Sequence, residues 1–179
     1  MMTTQTADAK KIDTRRVISW LPIQPYHHVA DVGCGGGYFT VPFAKQIPMG
    51  KVLATDVSKD KLDAIRESLE DANLGNVDLL LSDEKKLPLE DDSVDGAFFS
   101  RILHHAEDYK ALLKEAMRCV KKTGWLAVIE LHKKEMEGAH PVDELLDEAE
   151  VRAAAEKQGF MFSRRHDVNE RYYVLVMRK

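Results

Sequence analysis

The sequence predicts an α/β fold, an open, doubly wound, mostly parallel sheet with helices on both faces. Three observations carry this prediction. Short apolar runs alternate with helix-patterned stretches along most of the chain. The first apolar run breaks directly into glycines, after which a helical pattern resumes. The last two apolar runs, 160–166 and 171–177, face each other across 167–170 as a hairpin that adds an antiparallel edge.

Residues 1–10 are polar and lack the apolar core of a signal peptide, so they read as a flexible tail before a single domain over 11–179. Residues 12–21 have helical spacing and stop at Pro22 and Pro25. The first strand is expected over 27–32, the helix after the glycines over 38–46, and the second strand over 51–55, entered through Met49 and Gly50. Ser58 caps a long helix with Leu62, Ile65 and Leu69 on one face, ending near Asn73 and Gly75. A third strand over 77–81 leads through Leu87, Pro88 and the polar loop Asp91, Asp92, Ser93 to a fourth over 94–100. Residues 108–120 form a helix with Leu112, Leu113, Ala116 and Met117 as its core stripe. Lys122, Thr123 and Gly124 turn into a fifth strand over 125–131, and 141–158 form a helix closed by Gly159.

A chain of 179 residues buries about two-thirds of its unfolded surface. Its net charge of −4 offers no global attraction to nucleic acid or to an anionic membrane. The two cysteines, Cys34 and Cys119, make neither a disulfide framework nor a metal-ligand spacing, so a reducing, cytoplasmic setting is expected. No run approaches the roughly 18 apolar residues of a membrane span.

The glycines fit G-x-G-x-G, with Gly33, Gly35 and Gly37. A dinucleotide fingerprint, G-x-G-x-x-G, needs a glycine where this chain has Tyr38, and a nicotinamide dehydrogenase fails at that point. Asp56 ends the second strand and Asp83 follows the third, so both lie on the carboxyl edge of the sheet with the glycine loop. Strand-end aspartates often do no more than cap turns. Here two of them stand in register with the loop, where one can take a ribose diol and the other an adenine amine.

These motifs resemble the class I S-adenosylmethionine-dependent methyltransferases, particularly the small enzymes of the ubiquinone and menaquinone biosynthesis type. The matching pieces are VADVGCGGGYFT, ATDVSKDKL, LLSDEKKLPLEDDSVDGAFFSRILHH and KKTGWLAVIEL. The resemblance implies a Rossmann-like seven-stranded sheet of order 3-2-1-4-5-7-6, strand seven antiparallel, with S-adenosylmethionine as cofactor and S-adenosylhomocysteine as product. It implies that Gly33, Cys34 and Gly35 pass under the methionine moiety, with Val32 and Gly37 also in the cofactor site and Asp31 orienting the loop or meeting the amino group. Asp56 would hold the ribose diol, Val57 would pack on the adenine, and Asp83 would bond its amine with Glu84 beside it. Ser100 falls where the family's backbone contacts the sulfonium end.

The acceptor side is less specific. The family's Asn/Asp-Pro-Pro-Tyr/Phe motif is absent after strand four, where the chain reads Ser100-Arg101-Ile102-Leu103-His104-His105, so exocyclic-nitrogen chemistry on nucleobases is not expected. His104 and His105 are the candidate general bases; the plain alternative is that one packs at the next helix and the other is solvated. His132 and His140 flank the exit of strand five near Glu130, but no metal-ligand spacing supports an ion, and none is expected. Trp20 and Trp125 read as packing residues, and Lys133 and Lys134 as a solvated loop. Only residues 1–26 precede strand one, and the segment after strand five is short. An open site is therefore expected, taking a bulky small-molecule or protein acceptor, or completed by a second subunit of a homodimer. A non-catalytic S-adenosylmethionine-binding module is the alternative function.

Overall fold

The computed structural model describes residues 12–135 and 141–179, so the expected tail at 1–10 and His140 lie outside it. The apolar runs form β1 (His28–Val32), β2 (Lys51–Asp56), β3 (Val77–Leu81), β4 (Val94–Ser100), β5 (Val120–Leu131), β6 (Met161–Asp167) and β7 (Tyr172–Arg178). They make one seven-stranded sheet in the order β3-β2-β1-β4-β5-β7-β6. The pairs from β3 through β5 are parallel, and β7 runs antiparallel to both β5 and β6. The helices are α1 (Thr14–Trp20), α2 (Thr40–Gln46), α3 (Lys59–Asp71), α4 (Tyr109–Cys119) and α5 (Glu148–Gln158).

Side chains set most helix starts. Asp13, Ser58, Asp108 and Asp147 each accept hydrogen bonds from backbone N–H groups of the first turn. Asn73 (φ 52°) and Gly159 (φ 112°) take left-handed backbone just beyond α3 and α5.

Three expectations need correction. The helix after the glycines starts at Thr40 rather than Tyr38, because Gly37 is left-handed and Tyr38 and Phe39 complete the turn. Strand β5 begins at Val120, not 125. Lys122 to Gly124 form an excursion within the strand, with Thr123 at φ 70°, while Asp95 alone stands opposite on β4. The helix expected over 141–158 is broken: Val142–Glu144 make one 3₁₀ turn, and α5 begins only where the Asp147 side chain accepts from Ala149 N at 2.8 Å.

The central strands are apolar on both faces because helices cover both. Val29, Phe98, Ala127, Ile129 and Val174 face a core with Phe39, Phe43 and Ile65. Ala30, Phe99, Leu126, Val128 and Leu175 face a second core with Leu112, Leu113 and Val151. The chain visits β2 and β3 on one side of β1, then crosses to β4 on the other, so a crevice opens at the carboxyl ends of β1 and β4.

The β3–β4 connection has no helix of its own and is held by α4. Arg118 donates to the carbonyls of Leu87 and Leu89 at 3.2 and 2.7 Å, and Glu115 accepts from Leu87 N at 3.0 Å. Ion pairing with Glu115 and Asp91 raises the Arg118 guanidinium above its ordinary range.

Gly96 faces the buried Trp125 across the β4–β5 pair, and a Cβ there would lie 2.1 Å from the indole Cε2. Gly96→Ala should therefore lower stability by about 1–3 kcal/mol through overpacking. Urea unfolding of both proteins checks this, and an unchanged midpoint would show that the indole moves aside without cost.

Candidate functional site

The site grows from the end of β1. Gly33, Gly35 and Gly37 all have left-handed backbone, with φ of 68°, 55° and 78°. Two of them are also hemmed in: a Cβ on Gly33 would lie 2.6 Å from Ile102 Cγ2, and one on Gly37 3.1 Å from Ile65 Cγ1. Between them the loop is uncovered. A Cβ on Gly36 would meet nothing within 4 Å, and the nearest atom to one on Gly35 is 4.0 Å away. A flat polar ligand can therefore approach the main chain directly there.

Hydrogen bonds brace the loop from β2. Cys34 N donates to Thr55 O at 2.9 Å. Gly35 N donates to Asp56 Oδ2 at 2.9 Å, and Ser58 N donates to Asp56 Oδ1 at 2.9 Å. Lys61 Nζ stands 3.9 Å from the same Oδ1. Ser82 N donates to Asp56 O at 3.0 Å, which brings the end of β3 alongside.

Asp31 is buried beneath the loop and accepts from Thr40 Oγ1 at 2.6 Å, joining β1 to the start of α2. Burial pushes its carboxyl up to about 7; the Thr40 bond opposes the rise and the nearby Asp56 charge adds to it. The Cys34 thiol is likewise pushed far up by burial and by Asp31 and Asp56, which makes it a packing group rather than a reactive thiolate.

The remaining candidates lie at or just beyond the carboxyl ends of β2, β3 and β4. Val57 is 55% exposed despite its apolar side chain. Asp83 and Glu84 are exposed, and Asp83 Oδ1 accepts from Lys85 N at 2.9 Å in a turn of its own. Ser100, on the last turn of β4, has a buried Oγ with no hydrogen-bond partner among the described residues. Arg101 follows it in left-handed backbone (φ 58°), its N–H on Ile129 O at 2.8 Å and its guanidinium 6.0 Å from the Tyr172 ring centre.

The two histidines after β4 part company. The His104 side chain is 2% exposed, with Nδ1 2.6 Å from Glu130 Oε2, whereas His105 is exposed and lies ring against ring with it at 4.0 Å. His132 does not join them: its Nε2 is 3.1 Å from Asp167 Oδ1, and burial lowers its imidazole below the ordinary value. Among the described residues no group of three or more His, Cys, Asp or Glu is arranged to hold a metal.

Thr40 and Lys61 did not stand out in the sequence reading, and Glu130 did so only as a neighbour of the histidines at the exit of strand five. Only Glu130 carries a signal there, a carboxylate inside the apolar run Ala127 to Leu131. Its partner lies 26 residues back along the chain.

Comparison with known proteins agrees with this geometry. Residues 30–128 match the family model of a methyltransferase domain. A demethylmenaquinone methyltransferase of Listeria monocytogenes is 30% identical over 125 residues, covering 69% of this chain and 53% of the relative. An uncharacterized 37.1 kDa protein in a Streptomyces fradiae transposon is 34% identical over 124 residues, covering 69% of this chain and 35% of that protein. The chain thus spans about half or less of the length of these relatives. Among solved structures, an S-adenosylmethionine-dependent methyltransferase from Aquifex aeolicus superposes with a TM-score of 0.87 at 28% identity, covering 93% of this chain and 89% of that one. The [4+2]-cyclase SpnF shares the fold at a TM-score of 0.82 and 19% identity, covering 93% and 79%. No helix among the described residues is long and apolar enough to cross a membrane. With its sheet order, its glycine cradle and residues 30–128 all in agreement, the chain belongs to the methyltransferase-domain family, the class I S-adenosylmethionine-dependent methyltransferases.

Proposed function

We propose that this chain moves a methyl group from S-adenosylmethionine to a bulky acceptor presented at the carboxyl ends of β4 and β5. The observation that carries it is the braced, uncovered stretch of main chain at Gly35 and Gly36, with the Asp56 carboxylate bonded to its edge. The buried Ser100 hydroxyl, lacking a protein partner among the described residues, fits a polar ligand at the end of β4.

The residues divide the ligand between them. Val32, Gly33, Cys34, Gly35 and Gly37 would underlie the methionine part, with Asp31 orienting the loop through Thr40 rather than touching the ligand. Asp56 would accept from the ribose hydroxyls, Val57 would cover the adenine, and Asp83 and Glu84 would meet its amine side. Ser100 would border the reactive end, and His104 or His105 would take a proton where the acceptor must lose one. Bound in this way, S-adenosylmethionine supplies a methyl already activated by a sulfonium. The protein's task is then to align the two reactants and exclude water. The demethylmenaquinone methyltransferase relatives make an apolar, ring-containing acceptor the first class to test.

Calorimetry with S-adenosylmethionine, S-adenosylhomocysteine and NAD tests the donor. The two sulfur nucleosides should bind and NAD should not; the reverse would sink the proposal. Labelled methyl transfer into the protein, lipid and small-molecule fractions of a cell extract then separates an enzyme from a binding module. Asp56→Ala removes a charged acceptor from both the loop and the ribose. It should weaken S-adenosylhomocysteine binding roughly 10- to 100-fold, the worth of about 1.5–3 kcal/mol for such a bond. An unchanged affinity would take Asp56 out of the site.

Asp31 gives a pH signature. Its carboxyl titrates near 3.8 in the unfolded chain and about 7 when folded, so between these values the folded protein holds a proton that the unfolded chain has lost. Its contribution to stability is greatest below the lower value and is lost as pH rises towards the upper one. Asp31→Asn should flatten that decline, which is on the order of a few kcal/mol. Urea midpoints of both proteins measured across the window decide it, and parallel curves would show that Asp31 does not titrate there.

A further inference from the structure

We propose that Glu130 is a positioning residue. It holds His104 with the hydrogen on Nδ1, leaving Nε2 as the proton acceptor for a hydroxyl-bearing methyl acceptor. This rests on the methyltransferase reading above and adds to it a tautomer, a partner and an acceptor class.

The tautomer follows from counting donors. Glu130 Oε1 accepts from Leu103 N at 2.9 Å, and Oε2 accepts from Leu131 N at 3.3 Å. Both oxygens therefore serve as acceptors, and His104 Nδ1 meets Oε2 at 2.6 Å as a donor. A neutral imidazole with its hydrogen on Nδ1 carries its lone pair on Nε2. Both side chains are only 2% exposed, so water does not compete for the bond.

The position follows from packing. Ile102 fills the space beside Gly33 where a Cβ would otherwise sit, which presses the segment carrying His104 against the glycine loop. Leu103 N is fixed by the same carboxylate that fixes the imidazole, so Glu130 sets backbone and side chain together. Across the β5–β7 pair Glu130 stands opposite Tyr173, whose phenol is pushed up by burial and by the Glu130 charge. The polar cluster thus sits in an otherwise apolar wall.

Such an imidazole matters for one kind of acceptor. A thiol ionises readily near neutrality, and a neutral amine attacks through its own lone pair. A phenolic hydroxyl ionises near 10 and needs a base. In the balanced step the acceptor oxygen bonds to the methyl carbon as the S–CH₃ bond breaks. The bonding pair stays on sulfur as a neutral thioether, and the hydroxyl proton passes to Nε2. The ring of the exposed His105 lies 4.0 Å from that of His104, centre to centre.

Long-range ¹H–¹⁵N spectra of histidine-labelled protein test the idea without knowledge of the acceptor, with His104→Asn supplying the assignment. The expected result at neutral pH is a protonated Nδ1 and a bare Nε2. The Nε2 resonance should also differ between complexes with S-adenosylhomocysteine and S-adenosylmethionine, which differ by the methyl and its positive charge. In Glu130→Ala nothing accepts from Nδ1, so the share of the hydrogen held on Nδ1 should fall. Hydrogen on Nε2 or on both nitrogens of the wild type overturns the proposal, as does an Nε2 resonance identical in the two complexes. If Glu130→Ala does not fold, the wild-type spectra decide alone. Failure to bind either nucleoside overturns the methyltransferase reading and this role with it; normal binding with the wrong tautomer overturns only the role of Glu130.

Discussion

The Asp56 carboxylate is the joint on which the site depends. One of its oxygens accepts from Gly35 in the loop after β1, and the other from Ser58 at the start of α3. The backbone carbonyl of the same residue accepts from Ser82 at the end of β3. One residue therefore ties together three strand ends that the parallel sheet only brings near. Asp56 is 4% exposed, and a buried carboxylate needs hydrogen-bond donors around it. The backbone donors and the nearby Lys61 ammonium supply that surrounding.

The fold was legible where local chemistry decides it. Strands β3 and β4 fall on the apolar runs 77–81 and 94–100 because turn-forming residues bracket both. Alternation and the closing hairpin predict a parallel sheet with an antiparallel edge; its strand order came from the family resemblance, and the structure has that order. Misreadings occurred where a cap or a turn cut into a continuous pattern. The apolar content of 141–158 hid Asp147, whose side chain starts α5 late, and the Lys122 to Gly124 turn proved to be an excursion within a strand already begun. Neither depends on composition; both depend on which backbone N–H finds which acceptor.

The left-handed turns of the glycine loop and the place of Asp56 at the end of β2 could be read directly, since both follow from local spacing. The pairing of His104 with Glu130 could not, because it arises only when β4 and β5 lie side by side. The sequence reading offered both His104 and His105 as bases, with the alternative that one packs and the other is solvated, and could not say which is which. The sheet register gives one a buried carboxylate and leaves the other at the surface. Asp83 shows the reverse case: it caps a turn through Lys85 N just past the carboxyl end of β3, so a local cap and a place on that edge of the sheet coexist in one residue.

The open stretch at Gly35 and Gly36 has an entropic consequence. A recognition surface made of long side chains must freeze their rotamers when a ligand arrives, at about 0.5–1.5 kcal/mol for each one immobilised. Main chain without side chains has no rotamers to lose. Left-handed turns and a braced edge fix its shape before any ligand is present. The loop is thus rigid by construction, and as the proposed donor site its fit would be independent of the side chains that line the acceptor half. Those side chains could then be exchanged without disturbing the grip on the donor, so one cradle would serve chains that differ widely in what they methylate.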